Sequence, residues 1–101
     1  MFDWLRQWRA QYRPTEWHRR WAWKIANEFG PEWKAEWRER VRDDARHCVT
    51  FSVVFEKQGQ RIEKQVDLYG DMNTCKGAFE ARMEAKRRLL ALAAEDLAVG
   101  L

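Results

Sequence analysis

Residues 49–69, VTFSVVFEKQGQRIEKQVDLY, decide the fold, because apolar and polar side chains alternate on both sides of a single glycine. A period of two is typical of strands that bury one face. Gln58-Gly59 fits a two-residue hairpin turn, which pairs Lys57 with Gln60. Further along, this register aligns Phe55 with Ile62, Phe51 with Val66, and Val49 with Leu68. The stretch therefore predicts a β-hairpin whose register is fixed by agreement of turn and pattern.

Lys64 is the exception in this pattern, because the register places it opposite Val53 on the apolar face. Two interpretations stay open. The aliphatic stem of Lys64 can follow apolar surface while its ammonium group reaches water at an edge, or the hairpin meets an acidic group there. A two-stranded hairpin is not stable alone in water, so another element must cover its apolar face.

The chain after the hairpin predicts that covering element. Residues 70–74 have the composition of a loop with capping residues. From Cys75 to Ala98 the apolar residues recur at helical spacing, which predicts one long helix with Gly77 as a weak point near its start. The predicted buried stripe consists of Phe79, Met83, Leu89, Leu90, Ala93 and Leu97.

Three similar stretches precede the hairpin, and each has an acidic residue followed by Trp, a second Trp four residues later and an apolar residue four further on. The trios are Trp4, Trp8 and Tyr12; Trp17, Trp21 and Ile25; and Trp33, Trp37 and Val41. This spacing places each trio on one stripe of a helix. Thr15 suits the N-cap of the second helix, and Gly30-Pro31 suits the junction between the second and third.

Together these elements predict an α+β fold with three short Trp-rich helices, a β-hairpin and a long C-terminal helix, in the order ααα-ββ-α. A chain of 101 residues is sufficient for one domain and too short for two, so we expect a single domain over 1–101. Residues 1–46 form its Trp- and Arg-rich helical part and residues 47–101 its scaffold. The N-terminal helices either close the core or extend as an arm.

Composition excludes several classes of protein. The hydrophobic share of 46% argues against disorder, and no stretch approaches the roughly 20 apolar residues of a spanning helix. The first residues lack the apolar core of a signal peptide. Two cysteines, Cys48 and Cys75, are too few for a disulfide framework. We therefore expect a soluble cytoplasmic protein with reduced thiols.

Trp23 is the candidate binding residue that the pattern singles out, because it points away from the face shared by Trp17, Trp21, Ile25 and Phe29. It is either a second packing contact or an exposed hot spot. Trp and Arg are enriched in binding hot spots. We therefore predict a non-enzymatic protein–protein interaction module. Its predicted partner-binding residues are Trp4, Trp8, Arg19, Arg20 and Trp23.

The small size and the lack of catalytic motifs also suit a phage- or mobile-element-encoded accessory protein that inhibits a host protein machine. Both hairpin strands are candidate sheet edges, so self-association into a homodimer is an open alternative.

Nucleic-acid binding is the alternative function, because the net charge is +3 and Arg alternates with Trp in the N-terminal half. Arginine neutralises phosphate, and Trp stacks on unpaired bases. The densest basic runs are His18-Arg19-Arg20 and Lys86-Arg87-Arg88. Interspersed acidic residues are more typical of a solvated face with internal ion pairs. Membrane-surface binding by the first helix is disfavoured because the stretch is short and carries Asp3.

Catalysis, metal binding and cofactors find no support in the sequence. His18, His47, Cys48 and Cys75 show no zinc-type spacing. The single serine, Ser52, lies on a predicted strand, and no glycine-rich phosphate loop is present. We therefore expect no metal, no cofactor and no enzymatic activity.

Overall fold

The computed structural model describes residues 15–41 and 47–99. Its elements are α1 (Glu16–Phe29), β1 (Lys34–Val41), β2 (Cys48–Lys57), β3 (Gln60–Tyr69) and α2 (Cys75–Val99). The strands form one antiparallel sheet in the order β1-β2-β3. The α+β class is confirmed, with the order α-βββ-α over the described ranges. The first predicted helix, with Trp4 and Trp8, lies outside them.

The prediction of a third N-terminal helix is wrong, because residues 34–41 form β1 and pair with β2. The error has a physical cause. A spacing of four keeps side chains on one stripe of a helix, and as an even number it also keeps them on one face of a strand. Trp37 lies opposite Val53 and is buried, while the neighbouring Glu36 and Arg38 are exposed. Pairing with β2 therefore decided between two structures that the pattern fits equally.

The predicted hairpin is confirmed in its register, with Phe55 opposite Ile62 and Phe51 opposite Val66. Both turn residues have positive φ, 41° at Gln58 and 84° at Gly59. A two-residue turn of type I′ requires this backbone, and glycine adopts it without a steric cost.

Lys64 lies opposite Val53, as the sequence predicts, and its Nζ is 2.8 Å from Asp96 Oδ1 of α2. Of the two interpretations of Lys64, the acidic neighbour is therefore the one that the structure supports. Its ammonium group sits at the boundary between the sheet and α2, where the aliphatic stem is partly covered.

The long C-terminal helix is present, but its predicted buried stripe is only partly correct. The buried residues of α2 are Ala78, Ala81, Ala85, Leu89 and Ala93. Of the predicted residues, Leu89 and Ala93 are buried and Leu90 and Leu97 pack at the margin of the core. Phe79 and Met83 are instead 54% and 41% exposed. Alanines let the helix axis approach the sheet closely, so small residues rather than large ones face the strands.

Both helices pack on one face of the sheet, α1 against β1 and α2 mainly against β3, and they touch each other. Thr15 caps α1: its hydroxyl accepts from His18 N, and its own backbone N–H donates to His18 Nδ1. Trp21 and Ile25 are buried as the sequence predicts. Trp17, expected on the same buried face, is 57% exposed.

Candidate functional site

Glu39 on β1 fixes the two helices relative to each other. Its side chain is only 8% exposed and accepts hydrogen bonds from three elements. Arg82 on α2 donates from Nε over 2.6 Å and from Nη2 over 2.8 Å, and Trp37 on β1 donates from its indole over 2.8 Å. His18 Nε2 lies 3.2 Å away on α1 and donates, because His18 Nδ1 accepts from Thr15. This network sets the width of the groove between α1 and α2.

The electrostatics of Glu39 follow from these contacts. Burial, the largest influence, raises the pKa of Glu39. The hydrogen bonds from His18, Arg82 and Trp37, together with the charge of Arg82, outweigh burial and lower the pKa from 4.5 to about 2. Glu39 is therefore an anion across the physiological range, and it compensates the charge of Arg82 at the base of the groove.

A groove of about 730 Å³ lies between α1 and the start of α2. Trp17, Trp21 and Lys24 line it from α1, and Lys76 and Phe79 line it from α2. Buried Trp21 forms the floor, and the centre of its ring lies 6.0 Å from the centre of the Phe79 ring in an edge-to-face arrangement. This volume lies within the range of about 300–1,000 Å³ that is typical of ligand pockets.

The charge of the groove has one sign. Among the described residues its lining holds four cations, Arg20, Lys24, Lys76 and Arg82, and no carboxylate. Arg82 is compensated by Glu39, and Arg20 is 3.5 Å from exposed Glu16. Lys24 and Lys76 form no ion pair within the described ranges, and Lys24 Nζ instead lies 4.9 Å from the centre of the Trp21 ring. The groove therefore presents positive charge above an aromatic floor.

Exposed aromatic rings extend from the groove onto the outer side of α1. Trp17, Arg20 and Trp23 follow one another at intervals of three residues, which makes successive members neighbours on the helix surface. Trp23 is 70% exposed, and the Arg20 guanidinium lies 5.3 Å from the centre of the Trp17 ring. We call the surface formed by Trp17, Arg20, Trp23, Lys24, Lys76 and Phe79 the aromatic–cationic face.

The structure places three of the predicted binding residues, Arg19, Arg20 and Trp23, at exposed positions of α1. Trp4 and Trp8 lie outside the described residues. The basic run Lys86-Arg87-Arg88 is engaged in ion pairs: Lys86 with Glu28, and Arg87 and Arg88 with Glu84. The three cations of that run therefore share two carboxylates, which leaves one positive charge uncompensated.

Sequence reasoning missed Trp17, Lys24, Lys76 and Phe79 as candidate site residues. The helical spacing predicts buried positions for Trp17 and Phe79, because both side chains are large and apolar. The alanines of α2 at positions 78, 81, 85 and 93 are the signal that was available, because a stripe of small residues marks a side of close helix packing. The groove itself depends on the packing of α1 beside α2, and the sequence pattern does not indicate which helices are neighbours.

Catalytic and metal chemistry have no visible site in the described ranges. No group of three or more His, Cys, Asp and Glu residues gathers there. Cys48 is buried and Cys75 is exposed, and both are free thiols. Neither described helix is both long and apolar enough to cross a membrane. Comparison with protein-family models, curated proteins and solved structures finds no match to this chain.

Proposed function

We propose that the chain is a non-enzymatic protein-binding module and that the aromatic–cationic face contacts the partner. The supporting observation is the exposure of two Trp and one Phe beside a groove whose lining carries cations and no carboxylate. Trp and Arg in partly formed pockets are the residues that dominate binding energy at protein interfaces. Burial of such rings by a partner removes apolar surface that the fold leaves in water.

The chemistry of the groove favours an acidic partner segment with an aromatic or aliphatic anchor. The anchor would lie on Trp21 between Trp17 and Phe79, and partner carboxylates would meet Lys24 and Lys76. A second copy of this face is a poor partner, because cations would oppose cations. Trp4 and Trp8 are left out of the proposed face, since they lie outside the described residues.

The rigidity of the groove also supports binding. The Glu39 network ties α1, β1 and α2 together, so the groove walls lose little conformational entropy when a partner orders on them. Arg20 rests on Trp17 before any partner arrives. Preorganised side chains of this kind raise affinity by lowering the ordering cost.

Nucleic-acid binding is the second candidate, and the positions of Lys24 and Lys76 favour it specifically. Two cations without a described carboxylate partner, next to exposed Trp17, could neutralise phosphates beside a stacked base. Against this, the polar face of the sheet carries mixed charge, with Arg38 bonded to Glu36. Within residues 15–41 and 47–99 the positive surface is therefore local to the groove and forms no extended track for a phosphate backbone.

A random 12-residue peptide library selected against the immobilised full chain tests the protein-binding proposal. We expect selection of peptides that combine Asp and Glu with an aromatic or leucine anchor. Lys24→Glu and Lys76→Glu should each lower the affinity for the selected peptides at least about tenfold, which corresponds to about 1.4 kcal/mol of binding free energy. Lys34→Glu is the matched control, because Lys34 makes the same charge change from an exposed site on β1, away from the groove.

Other results of the same experiments would contradict the proposed groove or favour the alternative function. Selection of basic peptides, or equal weakening by Lys34→Glu, would contradict the proposed groove. Tight binding of a single-stranded oligonucleotide that falls steeply with salt, with no peptide selected, would favour the nucleic-acid alternative. Inhibition of a host machine by a phage protein is a further hypothesis, which only the identity of the natural partner tests.

A further inference from the structure

The imidazole ring of His18 takes part in two separate sets of hydrogen bonds. Its side chain is 15% exposed and uses both ring nitrogens. Nδ1 accepts from the backbone N–H of Thr15 over 3.4 Å, which closes the cap of α1. Nε2 lies 3.2 Å from Glu39 Oε1 and belongs to the Glu39 network. One ring therefore links the first turn of α1 to β1 and, through Glu39, to α2.

The two contacts require a neutral imidazole that carries its proton on Nε2. A neutral ring has one donor nitrogen and one acceptor nitrogen, whereas an imidazolium ring has two donors. The Thr15 N–H can only donate, and the Glu39 carboxylate can only accept. The third helical position of a capping box usually holds Glu or Gln. Histidine differs from both because it is the side chain that changes charge near neutral pH.

Protonation of the ring removes the acceptor of the cap. A proton taken from water onto Nδ1 converts this nitrogen to a donor, which then faces the donor N–H of Thr15. Rotation of the ring by half a turn does not restore the bond, because both nitrogens of an imidazolium are donors. The Thr15 N–H must therefore leave the ring, and because Thr15 is exposed it bonds to water instead.

The bond between the ring and Glu39 persists through this change. Nε2–H donates to the carboxylate in both states, and after protonation the bond joins two opposite charges. From α2 the ring meets the charge of Arg82, whose Nε lies 2.6 Å from Glu39 Oε2 and which opposes the added proton. On α1 the ring's partner is the uncharged backbone of Thr15. The ring therefore stays beside Glu39 while Thr15 is released.

Thr15 is the residue through which the change acts on α1. Its hydroxyl accepts from His18 N over 3.2 Å, and its carbonyl accepts from Arg19 N over 3.1 Å. In a capping box the two reciprocal bonds together satisfy the free donors of the first turn. Loss of one of them loosens the entry to the helix, whereas buried Trp21 and Ile25 still anchor the following turns on the core.

We propose that His18 is a proton-operated cap of α1. The neutral ring closes the first turn on Thr15, and the protonated ring releases Thr15 and strengthens the attachment of α1 to Glu39. The device changes the order of the entry to α1 without unfolding the domain. The inference is independent of the protein-binding proposal, because it does not use Lys24 or Lys76.

A pH titration of the 15N-labelled full chain, followed by NMR, tests the cap. The chain has two histidines, His18 and His47, so two imidazole rings contribute signals. At high pH we expect the 15N shifts of the His18 ring to place its proton on Nε2. As the pH falls, the Thr15 amide resonance should shift with the same midpoint as the His18 ring. The amide of buried Phe51 on β2 should not follow that midpoint.

His18→Gln is the matched variant, because glutamine supplies the acceptor of a capping box at this position and does not titrate. Its Thr15 amide should stay constant over the pH range in which the wild-type amide shifts. His47→Gln is the control: His47 is exposed and lies before β2, so its replacement should leave the response of Thr15 intact.

A neutral His18 ring with its proton on Nδ1, or a Thr15 amide that does not follow the ring, would overturn the proposal. A Thr15 shift that persists in His18→Gln would assign the response to another group and would also overturn it. Movement of the Phe51 amide with the same midpoint would show that the proton acts on the whole domain, which contradicts a local cap. The wild-type readings require no variant to fold, and peptide selection at the groove can succeed or fail without changing them.

Discussion

The two sides of α2 carry opposite kinds of apolar residue. The side toward the sheet consists of Ala78, Ala81, Ala85 and Ala93 with Leu89, and all five are buried. The side away from the sheet carries Phe79 and Met83, which are larger and yet remain exposed. Size therefore does not determine burial in this helix. Burial is determined by how closely the helix can approach the sheet, and small residues permit the closest approach.

The contrast separates folding from binding within one element. The alanine side, the sheet and the Glu39 network provide a rigid frame. The aromatic side and α1 present rings and cations that the frame does not need for its own packing. Substitutions on the inner side should therefore change stability, whereas substitutions on the aromatic–cationic face should change binding.

Loss of the Glu39 charge should have the largest effect on the frame. Glu39→Gln leaves Arg82 largely buried without its anion, and breaking such a pair costs about 3 kcal/mol. Urea denaturation at neutral pH measures the loss. Glu36→Gln on the exposed side of β1 is the control and should change stability by less than about 0.5 kcal/mol. A cost as small for Glu39→Gln as for the control would contradict the role of the network.

The pH dependence should identify the same group. The folded pKa of Glu39 is lowered to about 2 from 4.5. A lowered folded pKa gives stability that is complete above the unfolded value and is lost as pH falls toward the folded value. The stability advantage of the wild type over Glu39→Gln should therefore shrink between about pH 4.5 and pH 2. An advantage that stays constant over this window would exclude Glu39 as its source.

Enlarging the inner side of α2 should have the next largest effect. Ala85→Leu adds three carbon atoms at a fully buried position against the sheet, which should cost about 2 kcal/mol or more through overpacking. Met83→Leu on the outer side should cost less than about 0.5 kcal/mol. Thermal or urea unfolding measures both. Equal losses of stability in Ala85→Leu and Met83→Leu would contradict the proposed difference between the inner and outer sides of α2.

The hairpin could be predicted from sequence because two independent signals coincide there. Alternation of apolar residues fixed the face, and Gln58-Gly59 fixed the register. The strand at residues 34–41 could not be assigned in this way, since the spacing of Trp33 and Trp37 fits helix and strand alike. Partner strands resolve such ambiguity, and a single segment carries no information about its partner.

The candidate site was predictable only in part, for a related reason. Trp23 could be identified because the other large apolar residues of α1 define one helical face and Trp23 points away from that face. Trp17 and Phe79 fit the helical pattern and are nonetheless exposed. The helices are buried through other residues, α1 through Trp21, Ile25 and Ala26 and α2 mainly through alanines. The acidic neighbour of Lys64 was one of two open interpretations, and Asp96 lies far away in sequence.

Gly77 offers a smaller test of how the groove is closed. Alanine at an internal helix position usually stabilises relative to glycine. Here a Cβ would collide with the backbone carbonyl of Asp71, whose loop forms the end of the groove through residues 72–74. We therefore expect Gly77→Ala to destabilise by about 1–2 kcal/mol. A higher unfolding midpoint for Gly77→Ala would contradict the close contact between the Asp71 loop and position 77.

The most direct test of the separation between frame and face is a paired measurement on Trp17→Ala, with Tyr69→Ala as control. Tyr69 is 80% exposed on the opposite side of the sheet, so both substitutions remove an exposed aromatic ring. We predict that Trp17→Ala stays within about 0.5 kcal/mol of wild type in urea unfolding and loses at least about tenfold in affinity for the selected acidic peptide. Tyr69→Ala should change neither quantity. Loss of stability with unchanged peptide affinity in Trp17→Ala would contradict the proposed division.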